Sequence, residues 1–267
     1  MNVKIIAHTR VSDEFQTELL REAGVVCSDI DGYNERAAVA LTAIRCCYSP
    51  NKPSEIVALE GAKYFGKDAS DGEGGTDADR LFRHIVRSGH ASTLEHITYT
   101  FAIEGVSRAL LAQLTRHRQF SFSVQSQRYV KFGSGDKSGG FDYVTPSSLD
   151  GKETGSRRLR GFDEETNASV FTPVTATETY VDAMESLQGV YDALRAAGVP
   201  AEDARMVLPN AAACNLVMTG NLRAILEFYR KRNRNTHAQW EIADLAESLR
   251  EEVTKVDAWT AAFFDHK

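Results

Sequence analysis

Arg116, His117 and Arg118 are followed within ten residues by Ser121, Ser123, Ser126 and Arg128, in the run LTRHRQFSFSVQSQRYV. Guanidinium forks match phosphate oxygens in geometry and charge, and hydroxyls add further donors. The combination is therefore chemistry for holding phosphates. Gln113, just upstream, adds an amide able to bond either a phosphate or a base edge. The competing reading is a solvated basic helix end, because the helix dipole favours cations there by about 0.3–1 kcal/mol. Phe120, Phe122 and Tyr129 could stack on a ring, but their alternate spacing assigns them to a core.

Two further polar clusters accompany this run. SGHASTLEHI places His90, Ser92, Thr93, Glu95 and His96 within a few residues of one another. His84, His90 and His96 recur every six residues, which turns them to different faces of a helix and argues against a metal triad. TGNLRA with RKRNRNTHAQWE brings Asn221, Arg223, Arg230, Lys231, Arg232, Arg234 and His237, a basic set equally consistent with a solvated helix face. No glycine-rich phosphate loop, G-x-S-x-G elbow or H-E-x-x-H motif is present, so ligand binding would have to rest on arginines and hydroxyls.

The chain around these clusters has 267 residues, 42% of them apolar and 25% charged, which is ordinary for a globular protein. Its formal net charge of −6 argues against general nucleic-acid binding while leaving room for a local anion site. No apolar run approaches the roughly 18–20 residues of a membrane helix. The start, MNVKIIAHTRVSDEF, does not read as a signal peptide. Cys27, Cys46, Cys47 and Cys214 lack C-x-x-C spacing and are expected to be buried, reduced thiols of a cytoplasmic protein.

Periodicity supplies the elements that must position the clusters. NVKIIAH predicts a strand, and VSDEFQTELLREAG a helix capped by Ser12 and stopped by Gly24. YNERAAVALTAIRCCYS predicts a helix up to Tyr48-Ser49-Pro50, and Thr76 caps a helix DADRLFRHIVRSG that Gly89 closes. HITYTFAIEG alternates Ile97, Tyr99, Phe101 and Ile103 with polar or small residues, the pattern of a half-buried strand. VSRALLAQLTRHR reads as a helix with Val106, Leu110 and Leu114 on one stripe. The glycine- and serine-rich stretch at about 131–168 reads as an exposed excursion without a second core. TATETYVDAMESLQGVYDALRAAGV, ended by Pro200, GNLRAILEFYRKR and HAQWEIADLAESLREEVTKV predict three more helices. Strands and helices without regular βαβ alternation point to an α+β fold, in a single domain over 1–267.

RHRQFSFSVQSQRY resembles the signature of the flavin-dependent thymidylate synthases: Arg-His-Arg, seven residues, Ser, one residue, Arg. RCCYSPNKPS, HIVRSGHASTLEHITYTFAIEG, ARMVLPN, TGNLRA and HAQWEI resemble further family segments, in the family's order. The resemblance implies a central, mostly antiparallel sheet flanked by helices, in a homotetramer whose active sites are built from more than one subunit. It implies FAD as cofactor, dUMP as acceptor, methylenetetrahydrofolate as carbon donor and NADPH as reductant. The flavin would mediate transfer of the methylene carbon to uracil C5 and then supply hydride, with no attack by an enzyme cysteine.

Carried over by residue, Arg116, His117 and Arg118 would hold the FAD phosphates and flavin edge. His90, Ser92 and Glu95 would lie on the flavin side, with His90 near the isoalloxazine ring, and Asn221, Arg223 and His237 would complete the cofactor site. Gln113, Ser126, Arg128 and Arg205, with Val124 and Gln127 alongside, would bind dUMP. Arg232 would approach and polarise the pyrimidine, and Ser126 would position the nucleotide rather than attack it. This chain has one residue more than the family spacing before AQWE. Counting from Asn221 selects Arg232, counting back from Ala238 selects Asn233, and Arg234 is a third candidate. Val124 stands where the family often carries Glu or Gln, and Glu227 where some members have Asn.

Overall fold

The computed structural model describes residues 1–24, 26, 29–30 and 33–265. The chain divides into two compact units, one of Met1–Ile103, Gln113–Ser123 and Leu216–Lys267, the other of Glu104–Ala112 and Val124–Asn215. Cys27 lies outside the described residues.

In chain order the elements begin with β1 (Asn2–His8), α1 (Asp13–Ala23), α2 (Glu35–Cys46), α3 (Ile56–Phe65) and α4 (Asp77–Arg87). β2 (Thr98–Ser107), α5 (Arg108–Leu114), β3 (Ser121–Val124), β4 (Glu153–Asp163), β5 (Ala168–Thr175) and α6 (Ala176–Ala196) follow. α7 (Ala201–Ala204), β6 (Ala213–Asn221), α8 (Leu222–Arg232), α9 (Trp240–Val256) and α10 (Ala261–Phe264) complete the chain. The architecture is α+β. Four strands form one sheet in the order β1-β2-β6-β3, and β4 and β5 form a separate antiparallel pair.

Local chemistry sets the boundaries. Ser12 Oγ accepts from the Phe15 amide at the start of α1, and Gly24 ends that helix at φ +66°. Thr76 and Asp79 form a reciprocal capping box on α4. Ile97, Tyr99, Phe101 and Ile103 alternate inward and are fully buried. The helix expected over 106–118 is shorter: Val106 is the buried end of β2, and α5 stops at Leu114. α3, β4, β5 and β6 were not legible as separate elements, because their apolar runs are short or, in the hairpin, exposed on both faces.

The stretch at 131–168 is more structured than composition implied. Phe132 and Phe141 are buried with Met184, Tyr191, Ala204 and Ala212 in a cluster of the second unit, where the Phe132 amide donates to Tyr191 Oη at 3.2 Å. The β4–β5 hairpin is tied to α6 by the ion pairs Arg158–Asp182 and Arg160–Glu178. Cys46 and Cys47 are exposed, because α2 ends at that point, whereas Cys214 is buried as expected. Tyr129 is 81% exposed rather than packed in a core.

In the first unit a buried carboxylate ties three segments together. Asp257 is fully buried and accepts from Arg36 Nε at 2.8 and 2.7 Å, from Tyr99 Oη at 2.6 Å and from Trp259 Nε1 at 3.1 Å. Burial first, then the Asp257 charge, drives the Tyr99 hydroxyl far above its ordinary pKa, so it stays a donor. Replacing Asp257 with Ala strands a largely buried guanidinium and is expected to cost about 3 kcal/mol in denaturant unfolding. Asp257→Asn, which keeps one acceptor oxygen, is expected to cost measurably less.

Candidate anion and cofactor site

α5 hands over to β3 through a tight turn. The Arg116 amide donates to Gln113 O, His117 to Leu114 O and Phe120 to His117 O, at 3.0–3.3 Å. Arg116, His117 and Arg118 therefore lie just past the helix end, in this turn. Phe120 anchors it: a Cβ built on Gly220 would lie 2.5 Å from the Phe120 ring, so only glycine lets the ring sit there. Phe228 of α8 meets the Phe120 ring edge-on at 5.7 Å and the His117 ring at 4.8 Å.

α8 supplies the opposite wall. Asn221 caps it, accepting from the Ala224 amide at 2.8 Å. Ala224, Glu227, Phe228 and Lys231 then fall on one face at helical spacing. Together with Arg116, His117 and Arg118 they enclose a cleft of about 260 Å³. Arg116, Arg118 and Lys231 have no carboxylate partner among the described residues, which makes this a cationic recess in a net-acidic chain.

His117 Nε2 lies 3.2 Å from Arg232 Nε. A guanidinium can only donate, so Nε2 is the acceptor and the imidazole proton sits on Nδ1. Burial, followed by the charges of Arg232, Lys231 and Arg116, holds His117 below its ordinary pKa. The site thus offers a neutral histidine among permanent cations. Of the three candidates near the extra residue, Arg232 is the one aimed at His117. Asn233 ends α8, its side chain donating to Tyr229 O, and Arg234 pairs with Asp244 at 2.8 Å.

Other expected residues have local employment. Arg223 is gripped by two carboxylates, Glu95 at 2.6 Å and Glu227 at 3.0 Å, so it is not a free anion-binding fork. His90 Nδ1 lies 2.9 Å from Tyr48 Oη. The segment bearing Tyr48 is pinned by Glu60, which accepts from Arg45, Ser49 and Asn51. Burial raises the Glu60 pKa, but those three bonds outweigh it and the net shift is downward. Ser92 lies in the 3₁₀ turn Ala91–His96, and His237 is exposed ahead of α9. Gln113 is on α5 in the first unit.

The remaining expected substrate residues belong to the second unit. Arg128 pairs with Glu202 at 2.9 Å, and Arg205 Nε donates to the Glu202 carbonyl at 2.9 Å, so both arginines gather on one residue. Ser126 Oγ accepts from the Arg128 amide, Gln127 is buried and Val124 ends β3. Sequence reasoning did not single out Lys231, Phe228 or Tyr48 as site residues. The 224, 227, 228, 231 spacing was the available signal for the first two, and for Tyr48 it was the segment RCCYSPNKPS.

The fold and the recess define an α+β protein with a cationic cleft between the turn after α5 and the face of α8. A family model described as thymidylate synthase complementing protein matches residues 30–257. The flavin-dependent thymidylate synthase of Clostridium tetani is 34% identical, the match covering 82% of this chain and 78% of that protein. That of Geobacter sulfurreducens is 39% identical, covering 79% and 73%. Among solved structures, the UMP/dUMP methylase PolB of Streptomyces cacaoi bound with 5-Br dUMP superposes with a TM-score of 0.64 at 21% identity, over 99% of this chain and 94% of that one. The chain belongs to the flavin-dependent thymidylate synthase family.

The depressed His117 pKa has a defined pH signature. Above pH 6.5 the ring is neutral folded and unfolded; as pH falls below 6.5 the unfolded chain takes up the proton first, so stability is lost on acidification. Arg232→Gln removes the nearest charge. The expected result is an upward shift of the His117 titration, followed by ring-proton NMR, and a shallower loss of stability below pH 6.5.

Proposed function

We propose that the chain carries out the reaction for which its family is named, the flavin-dependent reductive methylation of dUMP to dTMP. Methylenetetrahydrofolate is the carbon donor and NADPH the reductant. The observation that carries this reading is the cleft of cations around a neutral His117, formed by the Arg116-His117-Arg118 part of the family signature together with α8. A diphosphate cofactor fits its donor set: guanidinium and ammonium groups for the phosphate oxygens, and a neutral imidazole that adds no further charge.

Arg116, Arg118 and Lys231 would hold the FAD diphosphate, with His90, Ser92 and His237 toward the rest of the cofactor. Bound there, FAD supplies the reducing equivalents and the carrier chemistry that amino-acid side chains lack. Asn221, Glu95 and Arg223 act on that site as a helix cap and an ion-pair strut. Arg128 and Arg205, with Ser126, Gln127 and the backbone at Val124, would receive dUMP, whose phosphate competes with the Glu202 carboxylate for the Arg128 fork. Arg232, fixed by its bond to His117, would place its charge against the pyrimidine and stabilise negative charge developing on the ring.

A cleft of about 260 Å³ is below the roughly 300–1,000 Å³ of sites for drug-sized ligands. This supports a site completed by other copies of the chain, as in a homotetramer. The family model spans residues of both units, which supports reading 1–267 as one domain. Among the described residues no helix is long and apolar enough to cross a membrane, and a cytoplasmic location is part of this reading.

The test is release of tritium from dUMP labelled at C5, with methylenetetrahydrofolate and NADPH present. Wild type releases it. Arg128→Ala and Arg232→Ala each remove a charge-assisted contact worth about 1.5–3 kcal/mol, or roughly ten- to a hundredfold in kcat/KM. Protein that stays colourless after FAD addition and gel filtration, and releases no tritium, would identify a nucleotide-binding protein without catalysis instead.

A further inference from the structure

Among the described residues the cationic cleft is lined by one carboxylate, Glu227, and that carboxylate is committed to Arg223. Arg223 is also held by Glu95, so the triad Glu95–Arg223–Glu227 carries a formal charge of −1. Set against the three unpaired cations Arg116, Arg118 and Lys231, it leaves the recess at a formal +2. Arg232 reaches the recess only through His117, which is neutral. All these residues belong to the first unit.

We propose that Glu227 is a specificity residue that matches this cleft to a diphosphate diester and disfavours more highly charged phosphates. The inference rests on reading the cleft as the cofactor's phosphate site. A diester bridging two sugars has one ionised oxygen per phosphorus, so its charge balances what this chain itself contributes to the recess. A triphosphate monoester carries more charge than the recess balances, and Glu227, in the cleft wall, repels the excess. Glu227 acts a second way. By engaging Arg223 Nε it keeps a fourth guanidinium turned toward the two carboxylates instead of the ligand. Both effects discriminate by charge rather than by shape, because each penalises a ligand that carries more negative charge.

The experiment compares ADP-ribose, a diphosphate diester, with ATP, a triphosphate monoester. Each is titrated calorimetrically into the flavin-stripped full chain without divalent cations, with the His117 ring resonances reporting that the cleft is occupied. Glu227→Gln is expected to raise ATP affinity relative to ADP-ribose by roughly three- to tenfold at low salt, the preference shrinking as salt is added. Arg223→Gln combined with Glu227→Gln returns the recess to its original charge and is expected to restore the wild-type preference. Thermal melts confirm that both variants are folded. A Glu227→Gln protein with unchanged preference would overturn the inference while leaving the site reading intact. A specific loss of ADP-ribose affinity would also overturn it, making Glu227 a direct acceptor for a sugar hydroxyl. Binding of neither ligand by wild type, with His117 unmoved, would defeat the site reading itself.

Discussion

The first unit depends on the burial of Asp257. A fully buried carboxylate is costly unless its charge and lone pairs are satisfied, and here a guanidinium, a phenol and an indole all converge on it. Arg36 comes from the start of α2, Tyr99 from the core face of β2, and Asp257 from the end of α9. One ionic centre thus fixes a helix, a strand and the C-terminal segment relative to each other. β2 cannot slip by one residue without turning Tyr99 away from this centre and its apolar neighbours toward solvent. The turn bearing Ser92 and Glu95 directly precedes that strand, so its position is inherited from the same constraint.

The cationic cleft is built differently, by aromatic packing instead of charge. Phe120 on glycine and Phe228 against His117 form an apolar base over which like charges are held together. Arg116, Arg118, Lys231 and Arg232 repel one another, and among the described residues no carboxylate pairs with the first three. Packing elsewhere must offset that repulsion, and a bound anion would relieve it. The suppressed His117 pKa expresses the same field: another proton is disfavoured where the surroundings are already positive and partly desolvated.

Arginines in this chain play contrasting parts, decided by what each one meets. Arg36 is structural and Arg223 is a strut between carboxylates. Arg128 is paired with the Glu202 carboxylate, and Arg116 and Arg118 have no carboxylate partner among the described residues. The sequence reading grouped Arg223 with the anion holders because composition cannot show that Glu95, distant in the chain, reaches it. Asn221 was grouped there too. Its cap on α8 is a local role, legible from an Asn placed just ahead of a helical run, but it was masked by the neighbouring basic residues.

Period and punctuation determined much on their own: β1, α1, α4, the inward face of β2, α6, α8 and α9 all follow from alternation, 3.6-residue spacing, caps and glycines. The ordered motifs likewise marked the family and the signature arginines, because ligand chemistry constrains residue type at fixed spacing. What only the tertiary structure decided were the pairings. Arg232 met His117 while Arg234 met Asp244, Phe132 and Phe141 were drawn from a glycine-rich stretch into a core, and Glu227 was placed in the wall of a cationic cleft. Each is a contact between residues far apart in the chain, and side-chain spacing along one segment carries no record of what another segment brings to meet it.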